Sequence, residues 1–517
     1  MMGIWDLYFV TKLVLYLGHY IDFHVFANLA FALFLFIPIR HAWIRLIRQV
    51  LAIPIGVALF YYDTWFPPFS SVMLQASQLQ QFDLTYLMEL LGRFIHFPIV
   101  ATLGLLYAAY FFVRKKIPVS PLVLLAMLVP LLPIATQPSA VTASPPTTDP
   151  SSPVTDKVLT ASLESFYKYE ASRTTSFAPP GKADIPFDII FLHICSLSWD
   201  DLNFVKEADN PLFKRFDIVF THFNAAATYS GPSIIRVLRG SCGQQQHGRL
   251  YDPINAQCQT FNNLQQIGFE SQLALNHDGQ YGNLLADISQ RGGLQATPFN
   301  NSGIPPYLKS FDGSPIYDDY TVLSKWWMNR LTLPAPRVAL YYNSISLHDG
   351  NRSGNHSSNS LQTYRPRLTR LLADLDRIFT QLHASGRRAV VVFVPEHGAS
   401  LRGDKMQIAG MREIPTPLIG IVPVGIKLIG LPENAAQELL IVSKPTSHLA
   451  VTKLLSDFVR GNLFGVSKLD LAEYVHHLPA TEFVAENEET IVMRRGGQYF
   501  LRTKTSAWVE YDPDGHR

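Results

Sequence analysis

Residues 390–404 read "VVVFVPEHGASLRGD". The unbroken apolar run Val390–Val394 predicts a strand covered on both faces, the pattern of a parallel sheet flanked by helices. It stops at a carboxylate and an imidazole placed side by side, Glu396 and His397. In open α/β sheets, ligands bind outside the carboxyl ends of the strands, so this pair stands where chemistry is expected.

Working outward, β-rich runs alternate with helical patterns from Phe187 onward, which predicts an α/β domain on a mostly parallel central sheet. The expected strands are "FDIIFLHI", "DIVFTHF", "QLALNH", "RVALYYNSI" and "AVVVFV". The expected helices include "PSIIRVLRG", "RPRLTRLLADLDRIFTQLHASG" and "SHLAVTKLLSDFVRG". In the second of these, Leu368, Leu371, Leu372, Leu375, Ile378 and Phe379 recur at helical spacing before Gly386.

Other reactive side chains fall at the same kind of position. Cys195 closes the first strand, and His348 follows "RVALYYNSISLH". Ser230 precedes Gly231 and Pro232 at the start of a helix, whose positive end holds phosphoryl groups readily. Taken singly, Cys195 fits a small buried hydrophobe, Ser230 a helix cap, His348 a solvated loop, and Glu396 with His397 a loop hydrogen bond. Their coincidence on one rim points instead to a metal, since thiolate, imidazole and carboxylate are ligands that suit zinc. Cys242 and Cys258 flank a polar loop and are expected to pair in an oxidising compartment, a bridge worth roughly 3 kcal/mol. Cys195 is then the odd thiol, which a metal would protect as thiolate.

The chain has 517 residues and a net charge of +2. It is too long for one ordinary domain, and it has no basic block to follow a nucleic-acid backbone. Its long apolar runs lie before residue 137. Ile21–Ile39, Leu46–Tyr62, Phe94–Val113 and Ile117–Ala135 are each about long enough to cross a hydrocarbon layer of roughly 30 Å. A fifth candidate from Ile4 carries Lys12, whose insertion costs roughly 2.5 to 3.5 kcal/mol unless its amine snorkels. Four to five helices are therefore expected in residues 1–136. Arg40, Arg45 and Arg48, and then Arg114 to Lys116, mark cytoplasmic loops, so everything after Ala135 is expected on the outer face. No cleaved signal peptide is expected. Residues 137–186, rich in Ser, Thr and Pro, read as a flexible tether containing one helix at "KVLTASLESFYKYEASRT", and residues 187–517 as the catalytic domain.

The motifs "LHICSLSWDDL", "FNAAATYSGPSIIRVLRGSCGQ", "NSISLHDGNR" and "VPEHGASLRGDKMQIAGMREIPTPLIG" resemble those of the phosphoethanolamine transferases of the alkaline phosphatase superfamily, in particular the branch associated with cellulose synthesis. The resemblance covers essentially the whole chain. It implies a multi-pass bacterial inner-membrane enzyme with a periplasmic catalytic domain. Zn2+ would be held near Cys195, Ser230, Glu396 and His397, with His348 lining the site. Ser230 would be the nucleophile, moving phosphoethanolamine from phosphatidylethanolamine to a cellulose hydroxyl, the glucosyl 6-hydroxyl being the expected acceptor. His348 is the candidate base, and Arg412 the candidate clamp on phosphate oxygens. Ala409 stands where the lipid A branch carries histidine, which speaks against a lipid A acceptor. Cellulose synthase subunits are the implied protein partners, and nucleic acid is not. Trp326 and Trp327 fit either a sugar-stacking surface or a core. Two other readings remain: a zinc phosphodiesterase or sulfatase-like hydrolase with water as acceptor, and a non-catalytic membrane scaffold of a polysaccharide secretion complex.

Overall fold

The computed structural model describes residues 5–18, 21–64, 82–94, 97–114, 119–131, 155–353, 359–404, 406–431, 438–466, 469–504 and 506–513. The chain divides into two compact units, one made of Met1–Ser77 and Met88–Pro146, the other of Gln78–Leu87 and Thr147–Arg517.

The first unit contains helices Trp5–Leu17, Val25–Phe36, Ala42–Asp63, Phe97–Val113 and Val119–Ala126. Among the described residues one helix, Ala42–Asp63, is long and apolar enough to cross a membrane, and Val25–Phe36 and Val100–Val113 are shorter apolar helices. Lys12 is fully buried and paired with Asp63. Its ammonium also donates to Asn28 Oδ1 at 2.7 Å, so the charge that counted against this helix is neutralised inside the unit.

The second unit is built on a seven-stranded sheet. Its strands are β1 (Asp188–Ile194), β2 (Ile218–Asn224), β3 (Glu270–Leu275), β6 (Val338–Ser344), β7 (Ala389–Pro395), β8 (Ile421–Ile429) and β9 (Leu440–Val442), in the order β3-β6-β1-β7-β8-β2-β9. A small pair, β4 (Pro306–Lys309) and β5 (Pro315–Tyr317), lies outside it. The pairs β3–β6, β6–β1, β1–β7 and β2–β9 are parallel. β8 runs antiparallel to both neighbours, so the sheet is mixed. The apolar runs that predict β1, β6 and β7 are buried at every position, as a sheet covered on both faces requires. Two cores flank it, one around Phe191, Phe220 and Leu454, the other around Leu192, Leu371 and Phe393.

One expectation needs correction, and one open alternative is decided. The stretch taken as a flexible tether is folded from Thr155 on. Helix Asp156–Ala171 is capped by Thr155, and its Leu159, Leu163 and Tyr167 pack with Val484, Met493, Phe500 and Trp508 of a second sheet. That four-stranded sheet is β10 (Val484–Glu486), β11 (Thr490–Arg495), β12 (Gln498–Thr503) and β13 (Val509–Tyr511). The tether's earlier part, residues 137–154, lies outside the described residues. Trp326 and Trp327 are only 2% and 1% exposed and belong to the core, so they offer no face to a sugar.

Candidate metal and phosphoryl-transfer centre

Sheet register places the site. Ile194 at the end of β1 pairs with Ser344 of β6 on one side and with Pro395 of β7 on the other. Three neighbouring parallel strands therefore end level, and the next residues of β1 and β7 are Cys195 and Glu396. The Glu396 amide donates to Ile194 O at 2.8 Å, and the Cys195 amide to Ser344 O at 2.8 Å. Just beyond, Ser196 adopts the left-handed φ of 64°. A non-glycine residue there costs of the order of 1–2 kcal/mol, and the Tyr364 hydroxyl, donating to Ser196 O at 2.6 Å, helps to hold it.

Ligand atoms of Cys195, Glu396 and His397 all lie within 4.8 Å of one another, and each of these residues is fully buried. Cys195 Sγ is 4.0 Å from His397 Nε2, and His397 Nε2 is 3.8 Å from Glu396 Oε2. Ser230 is the first residue of helix Ser230–Leu238. The N-cap before it, Tyr229, makes no side-chain cap bond, and the Ser230 hydroxyl lies 3.5 Å from Cys195 Sγ.

The protonation pattern suits a cation. His397 Nδ1 is 2.8 Å from Gly398 O, a carbonyl that can only accept, so the proton sits on Nδ1 and Nε2 carries the free lone pair. Glu396 Oε2 is buried without a hydrogen-bond partner. Burial pushes the Cys195 thiol up to about 12, with the Glu396 charge adding to the rise. Burial also raises Glu396 and depresses His397. A dehydrated thiol and carboxylate facing a neutral imidazole are what a divalent cation reverses, by favouring the anionic forms. The donor set fits zinc.

His348 and Arg412 complete the rim. His348 Nδ1 meets Asp349 O at 2.7 Å, which again leaves Nε2 as the bare nitrogen. Burial and then the Arg412 charge push this imidazole down to about 4, so it is a neutral base at working pH. One Arg412 guanidinium nitrogen lies 3.3 Å from Ser196 Oγ. It is nearly equidistant from both His397 nitrogens, at 3.3 and 3.5 Å, so it does not sit on either lone pair. Cys242 and Cys258 are bonded to each other, and Cys195 is the free thiol.

Several further residues here are not marked out by the sequence, Tyr229 among them although it lies within the stretch "FNAAATYSGPS". Tyr229, just before Ser230, donates to Glu413 and lies under Arg412, whose guanidinium carbon is 5.5 Å from its ring centre. The Phe311 ring lies against the His348 ring with centres 4.6 Å apart and planes tilted by 31°. Tyr86, far away in sequence, reaches Asp349 Oδ2 at 2.9 Å and contacts the same Phe311 ring. Only the three-dimensional fold brings Phe311 and Tyr86 to the rim, so spacing offers no signal for them.

Fold and site together define a class: a mixed-sheet α/β domain that sets a thiol, an imidazole and a carboxylate against a serine at the start of a helix. Residues 143–508 match the family described as the cellulose biosynthesis protein BcsG C-terminal domain, and residues 5–132 match the BcsG N-terminal domain. The chain belongs to the BcsG family of cellulose biosynthesis proteins. It is 37% identical to cellulose biosynthesis protein BcsG of Salmonella typhimurium and 36% identical to that of Escherichia coli K12, each over 98% of this chain and 96% of the relative. Among solved structures, a protein of the alkaline phosphatase superfamily from Vibrio parahaemolyticus is 12% identical, with a TM-score of 0.49 over 69% of this chain and 89% of that one.

Proposed function

We propose that this chain is a zinc-dependent phosphoethanolamine transferase that moves phosphoethanolamine from phosphatidylethanolamine to cellulose, through a covalent intermediate on Ser230. One observation carries the proposal: the ligand atoms of Cys195, Glu396 and His397 converge within 4.8 Å, with the Ser230 hydroxyl 3.5 Å from Cys195 Sγ. Family membership and the motif resemblance supply the substrates.

Zn2+ held by Cys195, Glu396 and His397 beside Ser230 would supply a Lewis acid that eases loss of the serine proton and polarises the phosphoryl group. In the first half, Ser230 Oγ forms a bond to phosphorus while the bond to diacylglycerol breaks. The proton lost by the serine ends on the diacylglycerol hydroxyl. In the second half, a glucosyl hydroxyl, expected at C6, attacks phosphorus and the bond to Ser230 breaks. His348 Nε2 takes the glucosyl proton and returns it to Ser230 Oγ. Arg412 binds non-bridging oxygens, as a planar guanidinium does well.

The proposed location is the bacterial inner membrane, with several N-terminal spans and the catalytic domain in the periplasm. Helix Ala42–Asp63 supports this, because Trp43, Leu46, Val50, Ile53 and Val57 on it are exposed. The Cys242–Cys258 bridge fits an oxidising compartment. Tethering beside the donor lipid raises its local concentration.

The test is incubation of the purified chain with phosphatidylethanolamine and cello-oligosaccharide, followed by mass spectrometry. The proposal expects a phosphoethanolamine adduct on the sugar and on Ser230, both absent in Ser230→Ala. Release of free phosphoethanolamine with no sugar adduct assigns a hydrolase instead. Normal cellulose modification in cells carrying only Ser230→Ala assigns a scaffold.

A further inference from the structure

We propose that Asn343 and His277 are positioning residues that aim the Glu396 carboxylate into the metal centre, through a hydrogen-bond relay whose donor and acceptor roles are fixed from end to end. The inference rests on the metal-centre part of the function proposed above.

The relay begins at a backbone amide. Gly279 N–H points at His277 Nδ1 at 3.1 Å, and since an N–H only donates, Nδ1 carries the lone pair and Nε2 the proton. His277 Nε2 is 3.0 Å from Asn343 Oδ1, so the imidazole donates to the amide oxygen. That choice fixes the amide face. Asn343 Nδ2 then donates to Glu396 Oε1 at 2.6 Å and to His193 O at 3.2 Å. Flipping the amide would set its oxygen against a carboxylate and a carbonyl, and its NH2 against the imidazole N–H, so a single orientation survives.

The consequence falls on Glu396. Oε1 is engaged by the amide, and Oε2, buried without a hydrogen-bond partner, faces His397 Nε2 at 3.8 Å. Every member of the relay is electrically neutral. An arginine or lysine in place of Asn343 would also orient the carboxylate, but as an ion pair that cancels the charge a cation needs. An amide backed by a neutral imidazole fixes the direction and leaves the charge intact. The scaffold is rigid: Asn343 is fully buried near the end of β6, paired with Leu275 of β3 and His193 of β1. His277 is buried two residues beyond the end of β3, and its partner Gly279 needs the φ of +69° that glycine tolerates.

The experiment measures zinc affinity of the full chain in detergent by competition with a chromogenic chelator, with thermal unfolding of the zinc-free proteins in parallel. Wild type is expected to bind zinc tightly, and Cys195→Ala to lose it. Asn343→Leu, similar in size but without a donor, is expected to weaken zinc binding about 10- to 100-fold. His277→Leu is expected to weaken it by about tenfold, while His277→Gln, which keeps an N–H for Asn343 Oδ1, restores it to within about threefold of wild type. Wild type that binds no zinc overturns the metal centre itself. Zinc-binding wild type with unchanged affinity in a folded Asn343→Leu overturns the relay and leaves the centre standing. Should Asn343→Leu not fold, the His277 pair decides: equal affinities in the Leu and Gln variants overturn the relay.

Discussion

Asp201 Oδ2 accepts the backbone N–H of Ala399 at 2.7 Å, across 198 positions of chain. The same carboxylate receives Leu401 N–H, and it closes a capping box with Ser198 at the start of helix Trp199–Phe204. It thus pins the loop after β1 to the loop after β7, the two loops that carry Cys195 and His397. A Cβ on Gly398 would lie 2.7 Å from Ser198 Oγ and 2.9 Å from Asp201 Oδ2. Gly398→Ala is expected to cost about 1–3 kcal/mol of stability by overpacking. Chemical denaturation of wild type and variant checks this, and equal midpoints would show that the two loops are not locked.

Arg412 sits beside Ser196 and His397 in the proposed phosphoryl site. Arg412→Ala is expected to lower kcat/KM toward a chromogenic phosphoethanolamine ester by about 10²-fold. Arg412→Lys recovers little of it, because a single ammonium cannot reproduce the planar fork. A loss of less than threefold in the alanine variant would confine Arg412 to a structural role.

At the opposite end of β1, Asp188 is fully buried and accepts from Arg330 at 2.9 and 3.0 Å and from Arg387 Nε at 2.6 Å. Asp188→Ala leaves the buried Arg330 guanidinium uncompensated. Its expected cost is about 3–5 kcal/mol in unfolding free energy. Urea titration measures it, and a change below 1 kcal/mol would contradict the claim that this network anchors the strand.

His448 opens helix His448–Arg460, is 8% exposed, and is held down to about 4 by burial and then by the Arg236 charge. Its unfolded value is about 6.5. Between those values the unfolded chain binds the extra proton, so this contribution to stability is complete above about pH 6.5 and is lost as pH falls toward 4. Replacing it by glutamine removes that slope. The difference in unfolding free energy between wild type and His448→Gln is expected to change by up to about 1.4 kcal/mol per pH unit in this window. Parallel pH profiles for the two proteins would refute it.

The five strands expected from apolar runs all form, and for β1, β6 and β7 the reason is that burial on both faces writes itself into composition. β8 escaped that reading. It contains Pro423 and Gly425, residues that normally argue against a central strand. Its pairing with β2 shifts register between Phe220 and Phe223, around Pro423, and Gly425 leaves room for the Phe216 ring, whose atoms would lie 2.6 Å from a Cβ. The antiparallel insertion that makes the sheet mixed was therefore hidden by residues the packing requires. The hairpin of β11 and β12 did leave a signal in Gly496 and Gly497, both at positive φ between two β-rich runs. In the site, Cys195, Ser230, Glu396 and His397 were legible because each follows a strand or opens a helix. The role of Asn343 was not, although it opens the motif "NSISLHDGNR", since inside a run of strand residues nothing marks which side chain will meet a carboxylate.

Cys195 and Glu396 leave adjoining strands in the middle of the sheet, each one step past its last ladder pairing. Prising them apart would mean unzipping paired strands at the centre of the sheet, the kind of core opening whose free energy approaches that of global unfolding. A cation lodged there should consequently exchange by way of the ligand side chains alone, at a pace set by coordination chemistry, while the backbone beneath it stays still.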